Sequence, residues 1–275
     1  MKYFLSAELY RMKKSKSPLL LLIACFALSF LSGVLYGFMF GNAPWLQRMY
    51  EAYLGLNPFA AAQEITITGL NAIGSYADLI GYALKANIGI YVVLFIAIFL
   101  IPLRRSGYIK NIASVHPRTE VFFAHALLIA VFAFLLVDAA SLAMVLSSFI
   151  FFRGLPVGSI PDLLVFLLTD SLLLSAIGIV VLTLTDLLRR QMPAIIFSIV
   201  YLWLVAPTMF SIAEASRMLN PGMKFRLRYV SLVGNLLQMQ AGHWNMVLSA
   251  LLVAVVYVGL CVLLEMTVIR RRDLI

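Results

Sequence analysis

Charge is scarce in this chain: Asp, Glu, Lys and Arg together make up 12% of its 275 residues, where a soluble domain carries about 25%. A soluble globule of this length needs polar residues to cover its surface, so the deficit excludes one. Cysteine is nearly missing as well. The two present, Cys25 and Cys261, both lie inside apolar runs, where they read as packing residues and not as a disulfide, a metal pair or a nucleophile. The three histidines, His116, His125 and His243, are too scattered for the His-Glu-x-x-His spacing of a zinc hydrolase. No glycine is followed by lysine anywhere in the chain, which excludes the phosphate-cradling loop of a nucleotide hydrolase. No internal repeat, low-complexity tract or domain linker interrupts the sequence, so residues 1–275 read as a single unit.

What remains is apolar. Hydrophobic residues reach 63% and the mean hydropathy is +1.00, values that call for lipid as the solvent. At roughly 20 residues per crossing, the length bounds the chain at about five to seven spans with short connections. Six apolar runs stand out: Pro18 to Phe40, Ile88 to Leu103, Val121 to Phe152, Leu163 to Leu184, Ala194 to Ser211 and Met246 to Ile269. The expected fold is therefore an all-α polytopic membrane protein with six transmembrane helices. The first run is longer than the apolar core of a secretory signal, about 7 to 15 residues, and is read as a retained span. Ahead of it, residues 1–17 place Leu5, Leu9 and Met12 at helical spacing, with Lys2, Arg11, Lys13 and Lys14 on the wet side. That pattern predicts an interfacial helix in the headgroup plane.

Orientation follows from the basic residues. Fourteen of the 21 Lys and Arg lie in the leader, in the gap holding Arg104, Arg105, Lys110 and Arg118, at Arg189 and Arg190, and in Arg270 to Arg272. The positive-inside rule then places both termini in the cytoplasm of a multi-pass cell-membrane protein. The same clustering accounts for the net charge of +9 and the pI near 9.7 through anionic headgroups, without nucleic acid as a partner. Two outer segments exceed simple turns. Residues 41–87 and 214–245 both contain helical apolar spacing, and the second, with its basic cluster Arg217 to Arg228, is expected to be interfacial or re-entrant.

Two intramembrane features could carry function. Asp138 and Asp170 fall well inside the third and fourth runs, where a charge costs about 2.5 to 3.5 kcal/mol even on insertion scales. They fit either a proton relay or a contact to a cationic substrate, or else carboxyls bonded to Ser or Thr hydroxyls, with Ser141, Thr169 and Ser171 as nearby candidates. In the first run Cys25, Ser29, Gly33, Gly37 and Gly41 recur every fourth residue. Such a small-residue stripe permits close helix contact, either within the chain or across a dimer interface.

Between the second and third runs the chain reads RRSGYIKNIASVHPRTE, and here it resembles the membrane subunits of ABC-2 type exporters, whose motif is G-x-I-K-N followed by a turn and Arg. The resemblance falls on Gly107, Tyr108, Ile109, Lys110, Asn111 and Arg118, with Tyr108 standing where Thr is frequent. It implies a cytoplasmic coupling helix within residues 104–119 that docks on a separate ATPase subunit. The leader resembles that family's elbow helix, and the closing Arg272-Asp273 matches its ending. Relatives serving bacteriocin immunity and amphipathic-peptide export, of the phenol-soluble-modulin type, look closest.

The resemblance implies a non-enzymatic permease, without cofactor of its own, that pairs with a second membrane subunit as homodimer or heterodimer. Two ATPase copies would bind ATP and Mg. Amphipathic or antimicrobial peptides are the expected cargo. An exporter of lipids or hydrophobic drugs, or an ion-coupled transporter using Asp138 and Asp170, are the alternatives, as is a membrane scaffold or immunity protein without transport. The charge distribution yields a direct test on a background without Cys25 and Cys261: single cysteines at Ser106→Cys and Ser216→Cys should label with impermeant maleimide from opposite sides of the membrane. Labelling of both from outside would overturn the six-span topology.

Overall fold

A computed structural model describes residues 2–40, 79–81, 88–102, 118–151, 158–188, 191–209, 212–213 and 230–269. Among them every regular element is helical, as expected where lipid leaves no water to satisfy backbone groups and each segment must bond internally. The elements are α1 (Lys2–Lys14), α2 (Lys16–Phe40), α3 (Gly89–Leu100), α4 (Arg118–Phe151), α5 (Ile160–Leu187), α6 (Gln191–Met209), α7 (Leu232–Gln238) and α8 (Trp244–Leu264). Five of these, α2, α4, α5, α6 and α8, are long and apolar enough to cross a membrane. The sixth expected span corresponds to α3, which within the described residues is a shorter apolar helix.

Helix ends follow local chemistry. The α5 start has Ser159 as cap, its hydroxyl accepting from the Asp162 amide at 3.4 Å, with Pro161 in the first turn where its missing N–H costs nothing. The chain enters this cap through Gly158, whose φ of 76° suits a residue without Cβ. Between α1 and α2 only Ser15 intervenes, and its amide still bonds the Arg11 carbonyl at 2.8 Å, so the two helices form a near-continuous bent rod.

Proline also leaves a mark inside two helices. In α3 the turn Ile96–Leu100 is a π-helix, and in α6 so is Tyr201–Val205. In both cases the residue just before proline closes a bond five residues back: Ile101 to the Ile96 carbonyl before Pro102, and Ala206 to the Tyr201 carbonyl before Pro207. A proline ring pushes against the carbonyl four residues earlier. The wider turn absorbs that crowding without breaking the helix.

The bundle is built around α4 and α5. Of their most apolar stretches 56% and 67% is buried, against 22% for α2 and 28% each for α6 and α8, so the latter three form the periphery. The short α3 lies within, touching α2, α4, α5 and α6, and buries Val92, Val93, Phe95, Ile96, Phe99 and Leu100. Close approach at the centre depends on Gly178. A Cβ there would come within 2.4 Å of Ile129 Cγ2 and 2.7 Å of Val92 Cγ1, so α5 meets α4 and α3 at once. At 34 residues α4 is about 50 Å long, well beyond about 30 Å of hydrocarbon.

At the end opposite α1, α7 folds back along α8. Its cap is Ser231, whose hydroxyl accepts from the Gly234 amide at 3.2 Å. Ser249 donates to Asn235 Oδ1 at 3.0 Å, and the Tyr257 hydroxyl donates to the Val230 carbonyl at 2.9 Å. The pairings run in opposite directions along the chain, so the helices are antiparallel. Tyr257 lies 13 residues beyond Trp244, so Val230 sits about 20 Å down α8 from its start. The described part of the expected outer segment therefore runs back beside the last long helix. Its basic cluster, Arg217 to Arg228, lies outside the described residues.

The central crossing sets an expected outcome. Gly178→Val forces a branched side chain against two β-branched neighbours and should cost about 1–3 kcal/mol, the usual penalty for overpacking. Gly259→Ala, where nothing lies within 4 Å of the added carbon, should leave stability unchanged. Thermal melts of the detergent-solubilised protein followed by size exclusion compare the two; equal melting temperatures would show that the crossing at Gly178 does not limit stability.

Candidate functional site

The residues of the expected coupling motif, Gly107, Tyr108, Ile109, Lys110 and Asn111, lie outside the described residues, and Arg118 is present as the first residue of α4 without a described side chain. What the structure does define is the root of that loop, where α3 ends and α4 begins. Three helices meet there. The apolar side of α1 faces protein: Leu5 packs with Val121 and Ala124 of α4, while Leu9 and Met12 pack on the main core. The apolar residues that the sequence places on one side of this helix thus meet α4 and the core.

On the same side Glu8 is fully buried, and its carboxylate accepts a hydrogen bond from and pairs with the Arg11 guanidinium three residues on. Arg11 in turn lies over the Phe99 ring of α3, 5.2 Å from its centroid, a placement favoured by the ring quadrupole. From there the contacts continue inward. Phe99 stacks on Phe95 at 5.2 Å, and Phe95 stacks on Phe132 of α4 at 4.1 Å with the planes 12° apart. Arg11, Phe99, Phe95 and Phe132 thus form one column linking α1, α3 and α4. Stacked rings resist compression, so displacement of the end of α3 is passed to α4 instead of being absorbed. His125 is also buried on α4, one turn beyond Val121.

The small-residue stripe of α2 makes contact within the chain where it is described. Cys25 is buried, its thiol 4.0 Å from the Leu136 carbonyl of α4. A Cβ on Gly33 would fall 1.9 Å from the Ser147 hydroxyl oxygen, also on α4. Ser29, between them, is half-buried, while the surroundings of Gly37, and Gly41 altogether, lie outside the described residues.

The two carboxyls expected inside apolar spans part company. Asp170 is 1% exposed within α5. Asp138 is exposed on the outer side of α4 and has no hydrogen-bond or ion-pair partner among the described residues. Of the hydroxyls expected to serve as nearby donors, Thr169 donates to the Val165 carbonyl at 2.7 Å and Ser171 to the Leu167 carbonyl at 2.8 Å, each within its own helix, while the buried Ser141 hydroxyl has no hydrogen-bond partner among the described residues. Ser175 and Thr183 also donate to carbonyls of their own helix. Such back-bonding satisfies a hydroxyl without a second helix.

Among the described residues no group of three or more His, Cys, Asp and Glu could hold a metal ion. The described site is a junction of three helices. Two of its determinants escaped sequence reasoning. An isolated glycine inside an apolar helix run, such as Gly178, is a signal of close approach. Nothing in the local pattern, by contrast, singles out Phe95, Phe99 and Phe132 from the 19 phenylalanines of the chain.

The column has a measurable consequence. Arg11→Ala leaves Glu8 buried without its cation and removes the ring contact, so α1 should detach more readily from the bundle. A cysteine at Leu5→Cys should then react at least several-fold faster with a thiol reagent than in the parent background, with Phe99→Leu giving a smaller increase because the ion pair survives. An unchanged rate in Arg11→Ala would mean that α1 is held by its apolar side alone. Comparison with known proteins finds no family model, no curated protein and no solved structure that matches this chain.

Proposed function

We propose that this chain is the membrane subunit of an ATP-driven exporter of the ABC-2 type, working as a pair of membrane subunits with two copies of a cytoplasmic ATPase. The observation that carries the reading is the position of the GYIKN sequence: it falls between α3 and α4, the two helices joined by the Phe95–Phe132 stack. A partner that closes on ATP and moves this loop would act on α3 first. Through Phe99 and Phe95 the movement reaches α4, the longest helix and one of the two that organise the bundle. Rigid elements packed in this way shift as units between discrete arrangements.

In this reading α3 is completed into a sixth span by residues beyond its described ends, α1 is the elbow helix and both termini are cytoplasmic, as the distribution of Lys and Arg favours. The segment holding α7 re-enters the membrane from the outer side, a placement supported by its antiparallel run beside α8 and by the buried Leu232, Val233, Leu236 and Met239. The chain performs no covalent chemistry; ATP and Mg belong to the partner. The cargo is an amphipathic or antimicrobial peptide, a molecule that already partitions into the interface through one apolar side. The separation of Asp138, exposed, from Asp170, buried, lends no support to a proton relay through both.

Ile109→Asp tests this reading within the segment between α3 and α4, outside every described helix. The variant should insert and reach wild-type abundance, while the reconstituted complex with its ATPase loses most peptide transport and the stimulation of ATP hydrolysis by cargo. Wild-type transport with wild-type stimulation would mean that the loop is merely solvated and the exporter assignment fails.

A further inference from the structure

Asp170 is 1% exposed within α5, and a carboxylate buried so completely is held in place only by a group that returns the interactions it loses with water. The hydroxyls beside it have committed their protons: Thr169 and Ser171 both donate to carbonyls one turn back. The described cations are remote. They belong to α1 and to the first residue of α2, at the end of the bundle where Arg11 meets Phe99, and Arg118 opens α4 on that same side.

What passes over Asp170 is the stretch of chain that leads into α3. A Cβ on Gly81 would lie 3.6 Å from Phe166 Cζ, and one on Gly89, at the start of α3, would lie 3.9 Å from Leu174 Cδ2. Phe166 and Leu174 stand one helical turn before and one turn after Asp170, on the same side of α5. The chain therefore touches α5 at one edge of the carboxyl and touches it again at the other, about 12 Å further along the helix. Residues 82–87, outside the described residues, join the two contacts. Their single charged side chain is Lys85. It stands halfway in sequence from Gly81 to Gly89, as Asp170 stands halfway from Phe166 to Leu174, and a four-carbon stem gives its ammonium reach and freedom to find a carboxylate.

We propose that Lys85 is the counter-ion of Asp170 and that the pair fastens the chain ahead of α3 to α5. The charge of Asp170 is then answered within the chain, by a structural tie, and not by a transported proton or a cationic substrate. It also gives α3 a hold at each end: the ion pair just before its first turn, and the contact of Phe99 with Arg11 about 15 Å further along. The pairing concerns this chain alone and stands apart from the exporter reading.

The test is a double-mutant cycle on the full detergent-solubilised chain, read as melting temperature by size exclusion. Asp170→Asn and Lys85→Met should each lower it by about 5 °C or more, since each leaves one buried charge without its partner. The two together should melt no lower than the worse single variant, because removing both charges costs less than stranding one. The exchanged pair, Asp170→Lys with Lys85→Asp, should recover part of the loss. Additive losses, or no effect of substitution at either position, overturn the proposal. A neutral pair covers the case in which the single variants do not fold: on a background without Cys25 and Cys261, Lys85→Cys and Asp170→Cys should be joined by a short bis-maleimide, so that neither thiol is left to take up a maleimide polymer after denaturation. Lys85→Cys with Leu172→Cys, two residues on and exposed on the other side of α5, should not be joined. Failure to join at Asp170→Cys, or equal joining in both pairs, overturns the proposal as well.

Discussion

Everything in the bundle depends on how closely helices approach where their surroundings offer no hydrophobic drive to bring them together. Lipid tails are as apolar as leucine, so association inside a bilayer relies on shape and dispersion contacts. The chain meets this constraint at α4, which receives α5 through Gly178 on one side and α2 through Gly33 on another. Both glycines accept a side chain of the opposite helix into the space a Cβ would fill. With those two contacts in place, α3 is enclosed and the long helices α6 and α8 need only attach at the periphery.

A second economy concerns polar groups. Hydroxyls in α4, α5 and α6 are mostly turned back on their own helices, as with Ser147, Thr183 and Ser198. They therefore place no demand on a neighbour, and helices can slide or rock without breaking interhelical bonds. Where a bond does join separate elements, at Asn235 with Ser249 and at Val230 with Tyr257, it ties the short α7 to α8. The Asn235–Ser249 and Tyr257–Val230 bonds lie at one end of the bundle, and the aromatic and ionic column of Arg11, Phe99, Phe95 and Phe132 at the other.

The same division clarifies the proposed role. The features that distinguish the described bundle are points of contact: the junction of α1, α3 and α4 and the glycine crossings of α4. These contacts are the ones the proposed coupling role would use.

Helix existence was legible in the sequence, because a backbone in lipid must satisfy its own hydrogen bonds and does so only over long apolar runs. The ends of α2, α4, α5, α6 and α8 fall within a few residues of those runs, and caps such as Ser159 with Pro161 account for the boundary of α5. Faces were not legible. In α4 almost every side is apolar, so no periodicity indicates which residues turn inward, and Asp138 and Asp170 read alike although one is exposed and the other buried. Nor could the run of Cys25, Ser29 and Gly33 show by itself that its described ends, Cys25 and Gly33, seat α4 of the same chain. The sequence by itself determined that this is a chain of long apolar helices with its basic residues gathered between them, since solvent and backbone hydrogen bonding act locally. Which helix faces which, and which carboxyl meets the outside, was decided only by the tertiary structure, because in lipid the two sides of a helix differ in fit and not in hydropathy.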